Sequence, residues 1–194
     1  MAIGRGLPAE RIERIAEGLV AGGVRAFEVT LNSPDVFGAI SALATRWGES
    51  LLVGAGTVLD VQGAAQAVDS GARFIVSPHT EPALIDWALT RGVPIFPGAF
   101  SPTEILTAWR AGATAVKLFP SSVAGPAFVR EFRGPFRDIP LIATGGVTID
   151  SAPDFLGAGA VAVGIGSWLT GDGEPDGIAE RAARLIQSLA GGSG

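Results

Sequence analysis

Short apolar runs rich in strand-forming residues recur about every 20 residues along this chain, and a helical pattern fills each interval. The runs are residues 2–5, 26–31, 51–55, 74–77, 94–97, 115–119, 140–143 and 160–165. Strict strand–helix alternation dictates a parallel sheet, because strands that run the same way need a crossover long enough to hold a helix. Eight is the number of such units that closes a (β/α)8 TIM barrel, and the expectation is that α/β fold. A chain of 194 residues is short for it, so the connections must be tight. An open doubly wound sheet is the other arrangement the pattern permits.

The intervals carry ordinary helix signals. Between positions 9 and 21, Ile12, Ile15, Ala16, Leu19 and Val20 fall at helical spacing, with Glu10, Arg11, Glu13, Arg14 and Glu17 between them. Ser33-Pro34 reads as an N-cap followed by proline in the first turn. Ser101-Pro102-Thr103-Glu104 fits a capping box. Gly92, Gly112 and Gly157 fall where helices should stop.

Composition narrows the class. A chain that is 47% hydrophobic and 17% charged folds around a core, and a mean hydropathy of +0.40 fits strands buried on both faces. No charge-free, glycine-free apolar stretch reaches the ~18 residues of a membrane span, so no membrane partner is expected. No basic leader precedes an apolar core, and the expected location is cytoplasmic. Zero cysteines remove thiol chemistry, and the net charge of −5 speaks against a nucleic-acid surface. No linker divides the chain. It reads as one barrel domain over residues 1–190, with a flexible Gly/Ser tail at 191–194.

Of the 14 basic residues, 13 are arginine and one is lysine, Lys117, inside the apolar run Ala115-Val116-Lys117-Leu118-Phe119-Pro120. Arginine stays protonated, whereas a desolvated lysine can lose its proton and attack a carbonyl. The alternative is a strand-end lysine with its amine in solvent. Glu28, in Ala26-Phe27-Glu28-Val29, is the second unusual residue. A carboxyl facing into a parallel barrel needs a partner or a proton. It is either ion-paired to an arginine or a general acid/base with a pKa raised by burial.

In a barrel the C-terminal ends of the strands and the loops after them form the active face. That face would carry Arg5, Glu28, Thr57, Pro97 with Gly98, Lys117, Thr144 with Gly145 and Gly146, and Gly166 with Ser167. Backbone amides of the Gly145-Gly146 and Gly166-Ser167 turns could cradle an anion on loops seven and eight, the habitual phosphate site of such barrels. Arg5 and Thr57 suit a carboxylate, although a surface cation and a helix cap are the plain alternatives. His79, the sole histidine, reads as a loop residue. No metal site is expected, because no histidine–carboxylate spacing supports one. Trp47, Trp87, Trp109 and Trp168 read as packing or subunit-contact residues.

With these residues assembled, the chain resembles the 2-keto-3-deoxy-6-phosphogluconate / 6-phosphogalactonate aldolase family from about Arg5 to Leu169. The resemblance lies in Glu28-Val29-Thr30-Leu31, Val53-Gly54-Ala55-Gly56-Thr57-Val58-Leu59, Phe96-Pro97-Gly98, Lys117-Leu118-Phe119-Pro120, Thr144-Gly145-Gly146-Val147 and Gly166-Ser167-Trp168-Leu169. It implies a class I aldolase with no cofactor and no metal, acting on a phosphorylated keto acid. By resemblance, Lys117 forms the Schiff base, Glu28 shuttles protons and Thr57 helps hold the pyruvate carboxylate. The Gly145-Gly146 and Gly166-Ser167 loops match the phosphate end, and Pro97 joins the substrate-binding set. Members are commonly homotrimers. Within the family, Arg5, Asn32 after Leu31, and Ser121-Ser122 after Pro120 look galactonate-like, whereas Thr144 before the glycine pair matches the gluconate branch. The residues alone also admit a phosphate-binding barrel isomerase or epimerase, or a barrel kept as a non-catalytic scaffold.

Overall fold

The first strand of the chain, β1 (Ala2–Gly4), has partners on both sides. It pairs in register with β2 (Ala26–Thr30) and bridges through Ala2 to Ile165 at the far end of the sequence. The Ile3 N–H donates to the Ile165 carbonyl at 2.9 Å and the Ile165 N–H to the Met1 carbonyl at 3.0 Å. These bonds close the sheet on itself. The structure is a computed structural model that describes residues 1–171 and 174–191.

The remaining strands are β3 (Leu52–Gly56), β4 (Ile75–Val76), β5 (Ile95–Phe96), β6 (Gly98–Ala99), β7 (Val116–Leu118), β8 (Leu141–Thr144) and β9 (Ala162–Gly164). All are parallel, in the order β1 to β5 and then β6 to β9. β5 and β6 are one stave interrupted at Pro97, so nine segments make eight staves. The chain forms the expected (β/α)8 barrel and not the open sheet. Pro97 was expected to close the fifth strand; instead it divides it, because proline has no N–H for the ladder and the strand resumes at Gly98.

Helices α1 (Ala9–Ala21), α2 (Val36–Trp47), α3 (Val61–Asp69), α4 (Pro82–Thr90), α5 (Pro102–Arg110), α6 (Ser121–Arg133), α7 (Ala152–Gly157), α8 (Ser167–Thr170) and α9 (Pro175–Gly191) surround the barrel. Strand residues such as Phe27, Val53, Ile75, Ile95, Val116 and Leu141 are buried with the inward stripes of these helices, for example Ile12, Ile15, Leu43 and Ile105. The alternate strand positions face the lumen, because successive side chains point to opposite sides of a strand.

Helix α1 has the expected boundaries. The capping box at Ser101 is present, with the Ser101 Oγ accepting from the Glu104 amide at 3.3 Å and Glu104 Oε2 accepting from the Ser101 amide at 2.7 Å. Those bonds, chiefly from Ser101, hold the Glu104 carboxyl below its ordinary pKa. Gly92 and Gly112 follow α4 and α5 with φ of 64° and 98°, the left-handed stop expected of them.

Two expectations are corrected. Ser33 does not cap α2, which starts at Val36 after Asp35 (φ 46°). The Ser33 hydroxyl accepts instead from the amides of Gly6 at 3.0 Å and Leu7 at 3.4 Å, and so ties the loop after β1 to the loop after β2. Gly157 lies within α7; the left-handed residue that ends this segment is Gly159 (φ 108°). At the other end of the chain, α9 runs through Gly191, the first residue of the expected tail, and residues 192–194 lie outside the described residues.

Candidate active site

Alternation along β2 sends Phe27 and Val29 toward the helices and Glu28 into the lumen. Glu28 is fully buried, and among the described residues neither carboxyl oxygen has a hydrogen-bond partner. Its side chain occupies the volume that a Cβ on Gly56 of the next strand would fill. Gly56 is therefore a lumen position kept empty for a carboxyl group. Gly56→Ala should displace Glu28, destabilise the barrel by about 1–3 kcal/mol through overpacking and lower turnover at least ~30-fold. Chemical denaturation and steady-state kinetics read both effects.

Lys117 repeats the pattern on β7, where Val116 and Leu118 are fully buried in the outer layer. Lys117 is 2% exposed, its amide donates to the Pro97 carbonyl at 2.9 Å, and its Nζ lies 5.0 Å from the centroid of the Phe119 ring. The break at Pro97 thus leaves a carbonyl that fixes the backbone of the lysine.

Burial raises the Glu28 pKa, against the lowering effect of the positive charges of Lys117, Arg5 and the N-terminal amine. Burial lowers the Lys117 pKa; the Glu28 charge opposes that shift and the Arg5 charge adds to it. Each side chain is driven toward its uncharged form, and each senses the other across the lumen. An uncharged amine is a nucleophile, and a protonated carboxyl beside it is a proton donor.

A cavity of about 500 Å³ opens at the C-terminal ends of the strands and is lined by Arg5, Thr144, Gly145, Gly146, Gly166 and Ser167, among others. Six of the ten expected site residues therefore meet on one wall. Glu28, Lys117 and Pro97 are buried and do not line it, and half-buried Thr57 lies at the end of β3 with a left-handed φ of 54°. Arg5 joins the two groups, since it lines the cavity and its charge reaches both Glu28 and Lys117. Gly145 and Gly146 adopt φ of 91° and 76°, which side chains rarely tolerate. Among the described residues, the Gly145, Gly146 and Ser167 amides donate to no protein acceptor, which leaves N–H groups on the cavity wall for an anion. The Thr144 Oγ1 is likewise buried there without a partner.

One contributor stood out in the sequence only by resemblance, as part of the pair Ser121-Ser122, with no sign of its contacts. The buried Ser121 donates through Oγ to the Leu118 carbonyl at 2.8 Å and accepts from the Thr144 amide at 2.8 Å. His79 is exposed on the loop after β4, and among the described residues no group of three or more His, Cys, Asp or Glu could hold a metal ion. The four tryptophans pack partly buried against the core, with the Arg46 and Arg91 guanidinium carbons 5.0 Å and 4.5 Å from the Trp47 and Trp87 ring centroids.

Comparison with known proteins places relatives over nearly the whole chain. The family model described as KDPG and KHG aldolase matches residues 6–180. A probable 2-dehydro-3-deoxy-6-phosphogalactonate aldolase of Rhizobium meliloti (strain 1021) is 39% identical over 191 residues, covering 98% of this chain and 89% of the relative. A 2-dehydro-3-deoxy-phosphogluconate aldolase of Pseudomonas aeruginosa (strain PAO1) is 40% identical over 170 residues, covering 84% and 77%. A solved structure described as native KDPGal superposes with a TM-score of 0.93 at 32% identity, covering 98% of this chain and 94% of that one.

Proposed function

We propose, from the premise that the chain belongs to the KDPG and KHG aldolase family, that it is a class I aldolase cleaving a 2-dehydro-3-deoxy-6-phospho sugar acid to pyruvate and D-glyceraldehyde 3-phosphate. The observation that carries the reading is the buried lysine and buried glutamate that sense one another in the lumen, beside a cavity bearing Arg5 and unpaired loop amides.

In this mechanism the neutral Lys117 amine attacks the C2 carbonyl and forms a carbinolamine. Glu28 gives a proton to the departing hydroxyl, and water leaves as the protonated imine forms. The imine withdraws the electron pair of the C3–C4 bond, which breaks as the Glu28 carboxylate takes the C4 hydroxyl proton, leaving an enamine of pyruvate and the aldehyde. Glu28 passes that proton to C3 of the enamine, and water hydrolyses the imine to free Lys117 and pyruvate. Arg5 and Thr57 hold the carboxylate, Pro97 shapes that end, and Gly145, Gly146, Gly166 and Ser167 take the phosphate. No step calls for a metal or cofactor.

Thr144, whose buried hydroxyl has no partner among the described residues, faces the middle of the substrate in this reading. We favour the galactonate epimer on Arg5, Asn32 and Ser121-Ser122, with activity on the gluconate form as well because of Thr144. A homotrimer fits the apolar surface at Phe100 and Val123, which are 41% and 71% exposed, with Phe100 stacked on Phe128 at 6.5 Å between centroids. A cytoplasmic location fits a substrate with two anionic groups, a carboxylate and a phosphate, that does not cross membranes unaided. Among the described residues no helix is long and apolar enough to cross one either.

The test supplies both epimeric phosphorylated keto acids and couples pyruvate release to lactate dehydrogenase. Both should release pyruvate, the galactonate form with the higher kcat/KM. A barrel isomerase or a scaffold would release none.

A further inference from the structure

We infer that Ser121 is a positioning residue that sets the Thr144-Gly145-Gly146 loop relative to the lysine strand, and so governs the grip on the phosphate end without taking part in imine chemistry. This rests on the phosphate-site reading above.

Ser121 is fully buried and begins α6, three residues after the end of β7. A serine there usually caps its own helix or bonds within its own turn. This hydroxyl makes one such local bond and adds a second to the neighbouring stave. It donates to the Leu118 carbonyl on β7, one residue beyond Lys117, and accepts from the Thr144 amide at the end of β8, both at 2.8 Å. A single oxygen thus uses its donor and an acceptor position to join the catalytic strand to the anion loop.

The neighbouring contacts extend the same seam. The Ser122 amide donates to the Gly145 carbonyl at 2.8 Å. A Cβ on Gly146 would lie 2.6 Å from the Ser122 Cβ, and one on Gly145 would lie 3.0 Å from the Phe119 ring and 3.2 Å from the Pro120 Cα. The turn at residues 119–122 is therefore a mould for the glycine pair. With the Gly145 carbonyl held on that side, the unpaired Gly145 and Gly146 amides remain on the cavity wall. The hydroxyl sets the depth at which the loop sits. Lys117 is held separately, through the bond from its amide to the Pro97 carbonyl.

The test is Ser121→Ala beside Ser121→Cys, which nearly keeps the volume but offers only a weak donor and acceptor. The expected result is an increase of about 10-fold in KM for the phosphorylated keto acid and in Ki for inorganic phosphate with alanine, and a smaller increase with cysteine. Pyruvate-dependent borohydride trapping at Lys117, which needs no phosphate, should keep its rate in both variants. A loss of general integrity would slow trapping together with cleavage, and that parallel loss would overturn the inference. So would wild-type KM and Ki in the cysteine variant. If the wild-type protein itself showed no inhibition by phosphate, the phosphate-site reading would fall, and the inference with it. Normal wild-type inhibition that the variants share unchanged would defeat the Ser121 bridge alone.

Discussion

Replacement of Lys117 by arginine should leave the barrel folded and reduce kcat/KM for keto-acid cleavage by at least ~10⁴-fold. The whole covalent route depends on an amine that can shed its proton. Burial lowers the Lys117 pKa and Arg5 adds to that shift, which favours the neutral amine against the opposing charge of Glu28. A guanidinium keeps its proton at any working pH and has no free nitrogen lone pair to offer. Arginine is a base like lysine and places no negative charge in the lumen, so loss of activity could not be ascribed to a reversal of sign there. Lys117→Met is the companion variant, because it removes a buried polar amine and should fold at least as stably as the parent. Circular dichroism and unfolding midpoints check the fold, and pyruvate release checks the rate. Near-wild-type turnover in Lys117→Arg would mean that the solitary lysine is unconnected with the chemistry.

Glu28→Gln should lower kcat by about 10²–10⁴-fold while pyruvate still binds, because the amide fills the same space but moves no proton. Its second effect is on pH dependence. Glu28 raises the Lys117 pKa, so removing its charge should move the pH at which trapping becomes half-maximal downward. Stability should respond with a definite sign. The folded protein holds the Glu28 proton above the ordinary carboxyl range, where the unfolded chain has lost it. Stability therefore falls as pH rises from the ordinary value to the raised one. Lys117 acts oppositely within its own window: from its lowered value up to the ordinary lysine value, the unfolded chain holds more protons and stability rises with pH. The glutamine variant should lose the first slope and gain stability over the parent as pH climbs through the carboxyl window. Thermal unfolding across pH in both proteins measures this. An unchanged slope would mean that Glu28 is ionised and matched in the folded state.

Much of this site was legible in the sequence because period-two burial makes a charged residue conspicuous. Glu28 between Phe27 and Val29, and Lys117 between Val116 and Leu118, interrupt apolar runs whose other members must face the helices. The barrel was legible for a related reason: eight alternations admit few closed arrangements, and tight turns let a short chain complete one. Features that depend on contacts distant in the sequence were not readable. Ser33 looks like a helix cap locally, yet its hydroxyl serves amides 27 and 26 residues earlier. Gly157 and Gly159 are equally good stops on paper, and only the backbone dihedral of the second chooses between them. Pro97 announces a strand end, but pairing on both sides allows the strand to resume one residue later. Ser121 is at most a branch marker after a proline until its bonds to Leu118 and Thr144 are seen 3 and 23 residues away.

The most direct measurement is reduction with borohydride in the presence of pyruvate, followed by peptide mass mapping. The account predicts irreversible inactivation with one reduced pyruvate attached at Lys117, and no modification when pyruvate is omitted. An enzyme that cleaves the keto acid normally while Lys117 remains unlabelled would contradict it.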